Sequence, residues 1–162
     1  MNLIAIDGGW SGCIAYRTHK VIGIRDCPGD VTGMRDLIKM LKTQHQEEWY
    51  AYLEANSPSP HFGARGNFGL GMNIGTWEGI LTSADIPFEN INPKTWQKFT
   101  NNEKSRHKKG RLARKEKAWR MARKLYPQFH EELGDNVPNP RDIQQGRADA
   151  LCLLEYIRRI HG

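Results

Sequence analysis

Residues 1–16, Met-Asn-Leu-Ile-Ala-Ile-Asp-Gly-Gly-Trp-Ser-Gly-Cys-Ile-Ala-Tyr (MNLIAIDGGWSGCIAY), place one acid, Asp7, at the end of an apolar, β-forming run and just before a Gly-Gly turn. Asp-Gly is first of all a turn former, because the short carboxylate accepts hydrogen bonds from nearby backbone amides. A strand end is also where a fold can hold a metal ligand or a catalytic carboxylate. The stretch alone does not separate the two readings, and the flanking segments must.

The first of these segments extend the strand into a sheet. Residues 3–7, 12–17 and 21–25 read as three strands joined by very short links, a meander that ends at Pro28-Gly29-Asp30. Met34, Leu37, Ile38 and Leu41 then recur at helical spacing over 31–46, with Asp30 in the N-cap position. A second apolar and aromatic run, 48–54, closes on another acid, Glu54, within Trp49-Tyr50-Ala51-Tyr52-Leu53-Glu54-Ala55-Asn56. Because this strand follows a helical crossover, the right-handed βαβ rule lays it parallel to the first strand and beside it. Asp7 and Glu54 then meet at the C-terminal edge of one sheet, where open α/β sheets place their chemistry. A lone Glu at a strand end is ordinarily a solvated turn residue; the pairing distinguishes this one.

Further along, 57–66 is a Pro- and Gly-rich loop, and 67–84 reads as a helix carrying Leu70, Ile74, Trp77, Ile80 and Leu81. Gly71, Gly75 and Gly79 recur every four residues on it and are expected to let another helix or backbone pack closely. Residues 86–93 form a further strand ending at Pro93, 95–98 start a short helical turn, and 101–110 (NNEKSRHKKG) is a flexible basic loop. A helix over 112–126 turns Ala118, Trp119, Ala122 and Leu125 inward, and a polar loop follows to Asn139. The final helix runs from Pro140 or Gln144 to Ile160, with Asn139-Pro140 as cap and first position.

That helix carries the third acid of interest. Asp149 borders its apolar face, Ala150, Leu151, Leu154 and Ile157. It is either an exposed carboxylate favoured by the helix N-terminal dipole or a third acid brought over the sheet edge. Three such groups repel one another unless cations neutralise them, and two divalent ions about 3.5–4 Å apart are a general solution for in-line phosphoryl chemistry. Oxygen ligands suit Mg²⁺ or Mn²⁺.

Composition supplies the partner. The chain has 162 residues, enough for one domain spanning 1–162, and a net charge of +6. Thirteen of its 24 Lys and Arg lie between Lys94 and Lys124, where Glu103 and Glu116 are the sole acids. Such a block is the electrostatic footprint of phosphate-backbone binding, although Lys- and Arg-rich helix faces are also common on plain surfaces. Three widely spaced cysteines, Cys13, Cys27 and Cys152, read as reduced thiols. With neither a membrane span nor a leader peptide in the pattern, the expectation is a soluble cytoplasmic protein.

Taken in order, Ile-Asp-Gly-Gly at 6–9, Glu54, the glycine-spaced helix to Gly79, Ile-Asn-Pro-Lys-Thr-Trp-Gln-Lys at 91–98 and Gly-Arg-Ala-Asp-Ala-Leu at 146–151 resemble the RuvC-like Holliday junction resolvases, especially the compact phage-type members. The resemblance implies an RNase H-like α/β fold with a mixed five-stranded sheet flanked by helices. It implies a homodimeric, metal-dependent endonuclease that cuts two opposed strands of a four-way DNA junction, in the host cytoplasm if phage-encoded. It makes Asp7, Glu54 and Asp149 catalytic carboxylates that hold Mg²⁺ or Mn²⁺, two ions per site. Family members place a fourth Asp or His three or four residues before the last Asp, whereas this chain has Gly146 and Gln145 there, leaving Asp142, Gln145 or water for that place. Asp142 equally suits a plain acid at the helix start. Lys94, Lys98, Lys104, Arg106, Lys108, Lys109, Arg111 and Arg114 are the expected DNA-backbone contacts. Phe62 and Phe68 are candidates to stack on unpaired bases at the branch point, core packing being the ordinary fate of Phe. Two other classes stay open: a nuclease of the same fold acting on other branched DNA or RNA–DNA hybrids, and a noncatalytic junction-binding protein.

Overall fold

β1 (Asn2–Asp7), β2 (Cys13–Arg17) and β3 (Ile22–Asp26) pair antiparallel, and β4 (Trp49–Glu54) and β5 (Phe88–Ile91) add in parallel, giving the order β3-β2-β1-β4-β5. The computed structural model describes residues 1–9 and 12–161, so Trp10, Ser11 and Gly162 lie outside the described residues. β1 sits at the centre because its residues bury both faces. Ile4 and Ile6 point to one side, Leu3 and Ala5 to the other, all nearly without solvent contact.

Helices cover both faces. On the Ile4 and Ile6 side lie α1 (Val31–Gln44), whose N-cap Asp30 accepts from Gly33 N–H, and α2 (Gly63–Ser83), sealed by Met34, Ile38, Leu41, Trp77, Ile80 and Leu81. The opposite face carries α3 (Pro93–Gln97), α4 (Arg111–Leu125), the short α5 (His130–Leu133) and α6 (Ile143–His161), joined to the sheet through Trp96, Ala118, Trp119, Leu151 and Leu154. At about 25 cal/mol per Å² of apolar area removed from water, two such layers are the main stabilising contribution.

Several expectations are corrected. α2 begins at Gly63, inside the stretch read as loop, because Asn67 closes a clamp: its Oδ1 accepts from Ser59 N–H and its Nδ2 donates to Ser59 O, both at 2.9 Å. Gly71, Gly75 and Gly79 face away from the sheet; a Cβ at any of them would have no neighbour within 4 Å, so among the described residues nothing packs on that stripe. Phe62 and Phe68 are 53% and 71% exposed rather than packed in the core. The polar stretch before Asn139 holds α5, anchored by buried Phe129 and Leu133. Of the two starts expected for α6, Pro140 and Gln144, the later one holds to within a residue: the helix begins at Ile143, after a turn in which Asp142 Oδ2 accepts from Asn139 N–H at 2.9 Å.

Candidate functional site

The register of β1 against β4 ends at the pair Ile6–Leu53, so Asp7 and Glu54 stand one position further on, side by side at the C-terminal edge of the sheet. Asp7 also serves its turn: Oδ1 accepts from Gly9 N–H at 3.3 Å. The turn requires small residues. A Cβ at Gly12 would lie 2.0 Å from the Asp7 carbonyl oxygen, and one at Gly8 would meet Asn73 Oδ1 at 2.7 Å where α2 crosses.

Asp149 arrives from the other face. Far from being an exposed first-turn acid, it is 2% exposed, two turns into α6. Its approach is locked by Arg147, whose Nε and Nη2 donate to Asp26 Oδ1 and Oδ2 at 2.8 and 2.7 Å while Nη1 donates to Glu132 O. A two-pronged guanidinium contact of this kind fixes geometry as well as charge.

Lys115 of α4 lies in the midst of the acids, its ammonium paired with Asp149 Oδ2. Glu54 Oε2 accepts the indole N–H of Trp96 at 2.7 Å. Burial, followed by the charges of Asp7 and Asp149, pushes the Glu54 carboxyl up to about 8, with Lys115 and the Trp96 bond opposing. Burial and Asp149 raise Asp7 to about 6 against Lys115 and the Gly9 amide. Burial would lower Lys115, but Asp149, Asp7 and Glu54 outweigh it and raise it. The site is therefore an excess of negative charge balanced in part by one internal cation. Among the described residues no three His, Cys, Asp or Glu side chains converge tightly enough to chelate one ion as they stand. The raised Asp7 and Glu54 carboxyls nevertheless mark a place where ionising both acids costs energy until a further cation is present, which is what a divalent ion provides.

Gln145 occupies the place one helical turn before Asp149. Its Nε2 donates to Asp149 Oδ1 at 3.0 Å and to Lys115 O at 3.1 Å. Both partners are acceptors, which fixes the amide orientation and leaves Oε1 buried without a partner. Asp142, by contrast, is engaged with Asn139 at the start of α6.

All eight basic residues singled out as DNA contacts are exposed. Lys94, Lys98 and Arg114 line a groove of about 640 Å³ beside Glu54, together with Asn56, His61 and Phe62. Beyond Lys115 on Asp149 and Lys117 on the Asn101 carbonyl, the cations of the basic block divide by partner. Arg106 and Arg120 pair with Glu116, Arg123 with Asp135 and Lys124 with Glu103. Lys94, Lys98, Lys104, Lys108, Lys109, Arg111 and Arg114 make no salt bridge among the described residues.

Lys115 and Trp96 escaped the sequence reading as site residues. Lys115 carries a usable signal, standing three and four positions before the inward Ala118 and Trp119 on the same helix face. Trp96 lies in the 91–98 run that carries the resemblance, but nothing in that run ties it to Glu54, 42 residues away.

Layer order, strand directions and the position of α6 define an RNase H-like fold. No protein-family model and no curated protein matches the sequence. Solved structures do match: Thermus thermophilus RuvC in complex with Holliday junction substrate aligns at a TM-score of 0.58 and 14% identity, covering 99% of this chain and 96% of that one. Another T. thermophilus RuvC structure aligns at 0.56 and 14%, covering 98% and 96%. The chain thus shares the RuvC fold over essentially its whole length.

Proposed function

We propose that this chain is a metal-dependent endodeoxyribonuclease that resolves four-way DNA junctions by paired symmetric nicks, acting as a homodimer. The observation that carries this reading is the meeting of Asp7, Glu54 and Asp149 beside a groove lined by unpaired cations. The junction bound to T. thermophilus RuvC, whose fold the chain shares, supports the substrate class.

Asp7, Glu54 and Asp149 would hold Mg²⁺ or Mn²⁺, two ions per site. The chemistry such ions would supply is a lowered pKa for the attacking water and stabilisation of the leaving 3′ oxygen, which would give a 5′-phosphate product. The chain's own groups do the rest. Trp96 fixes one Glu54 oxygen, Gln145 fixes one Asp149 oxygen, and Lys115 balances charge between them. Lys94, Lys98 and Arg114 hold the backbone in the groove, while Lys104, Lys108, Lys109 and Arg111 extend the contact. Exposed Phe62 and Phe68 stack on unpaired bases at the branch point. For the second copy, the uncovered α2 face bearing Gly71, Met72, Gly75 and Gly79 offers a surface of small and apolar residues, and two coordinated cuts call for twofold symmetry.

Cleavage of a mobile four-way junction with mapped products tests the proposal. Paired symmetric nicks are expected in Mg²⁺ and none in EDTA, with losses of about 10³-fold for Asp7→Asn and Asp149→Asn. Parent-rate cutting by these variants sinks the site assignment, and Mg²⁺-independent binding without cutting sinks the enzyme. Junction affinity should also fall steeply with salt, a log–log slope near −5 for about six phosphate contacts. A flat dependence removes the basic segment from the interface.

A further inference from the structure

Residues 101–110 contain no helix or strand, and Lys104, Arg106, Lys108 and Lys109 within them repel one another. Left alone, such a segment would be an ensemble. It is instead tied at its midpoint to one acid on the neighbouring helix. Glu116 Oε2 accepts from Ser105 Oγ and from Arg106 N–H, both at 2.9 Å, and Oε1 accepts from Arg106 Nε at 3.2 Å. Arg120, one turn along α4, completes the shell through Nε and Nη2 at 3.2 and 2.9 Å. Ser105 Oγ in turn accepts from His107 N–H; Lys117 Nζ donates to Asn101 O and Lys124 Nζ to Glu103 Oε1, so with Glu116 α4 holds the segment at three points. Glu116 is 1% exposed.

We infer that Glu116 is a positioning residue for DNA binding: it sets the shape of the basic segment, so that the cations are presented in one arrangement before the junction arrives. The inference rests on the reading of that segment as a DNA contact. It reassigns Arg106 from phosphate contact to strap. Arg120, the Arg106 amide and Ser105 hold the Glu116 carboxyl down at about 2 against its burial, so the strap stays ionised at any working pH.

Charge and positioning make opposite predictions. By Coulomb's law alone, deleting an acid from a cation patch strengthens its attraction for phosphate. If Glu116 instead orders the segment, deleting it moves that ordering to the moment of binding and weakens affinity. Salt titrations of junction binding in Ca²⁺, using the full chain and Glu116→Gln and Glu116→Ala variants, separate the two. We expect about tenfold weaker binding for Glu116→Ala and a smaller loss for the isosteric Glu116→Gln, which keeps one acceptor oxygen. Amide hydrogen exchange should accelerate at Ser105, Arg106 and His107 while β1 and α6 keep the parent's protection. Binding as tight as the parent's or tighter in either folded variant overturns the inference. Should the parent itself fail to bind a junction, the DNA reading falls instead, and unchanged exchange at 105–107 would still refute the strap.

Discussion

Glu54→Gln is expected to abolish junction cleavage and, in metal-free protein at pH 8, to raise the melting temperature. The two effects share one cause. Burial, then the charges of Asp7 and Asp149, lifts the Glu54 carboxyl from an ordinary 4.5 to about 8, and burial with Asp149 lifts Asp7 from 3.8 to about 6. Carboxyls raised in the folded state keep protons that the unfolded chain has already released. Stability of the metal-free protein therefore falls as pH rises from about 4 towards 8, the folded state binding more protons throughout that window. An amide at position 54 cannot ionise and so escapes the penalty, while still accepting the Trp96 N–H. Discounting for solvent at the sheet edge, the gain at pH 8 is on the order of 1–2 kcal/mol, a few degrees for a chain of this size, and it vanishes near pH 4. Melting curves of parent and variant between pH 4 and 8, in EDTA, provide the check. A parent whose stability is flat across that range, or a variant no more stable at pH 8, would contradict the account.

Lys115→Met should act in the opposite direction on stability. Asp149 is 2% exposed and Lys115 is its cation; removing one partner of a buried pair leaves an uncompensated charge, costing about 3 kcal/mol. The lysine is raised above its ordinary 10.5, so it is charged across the working range and its contribution is lost only as pH rises through that higher value. Mn²⁺ should stabilise this variant more than it stabilises the parent, because the bound ion takes over the neutralising role. Adding Asp149→Asn should recover much of the loss, the signature of two groups in direct contact. Equal stability of parent and Lys115→Met in EDTA at pH 8 would mean that the pair is not the counterweight described.

The legible part of this fold was carried by local pattern. Alternating apolar runs cut by Gly-Gly and Pro-Gly turns defined β1 to β3, and a crossover helix set β4 parallel to β1, which is enough to bring Asp7 to Glu54. What stayed hidden depended on partners distant in the chain. α5 is four residues long and shows no period; Phe129 and Leu133 hold it by packing. α2 starts early because Asn67 reaches back to Ser59 and overrides the poor helix propensity of Gly63 and Gly66. The glycine stripe turned outward because α2 already uses Trp77, Ile80 and Leu81 to cover the sheet. At the site, the acids could be read because strand ends and an apolar helix face mark them. Their neutralising and orienting partners could not: Lys115 meets Asp149 across 34 residues of sequence, Trp96 meets Glu54 across 42.

The acids at positions 7, 54 and 149 are delivered at very different moments of synthesis. Two of them, on β1 and β4, lie within the first 54 residues, and nearly a hundred more separate Glu54 from Asp149, which α6 carries together with the Arg147 latch onto Asp26. Until α6 docks on β1 and β2, a growing chain already carrying its full basic block would be able to touch nucleic acid without being able to cut it. In the proposed nuclease, the order of the elements would itself act as a safety catch.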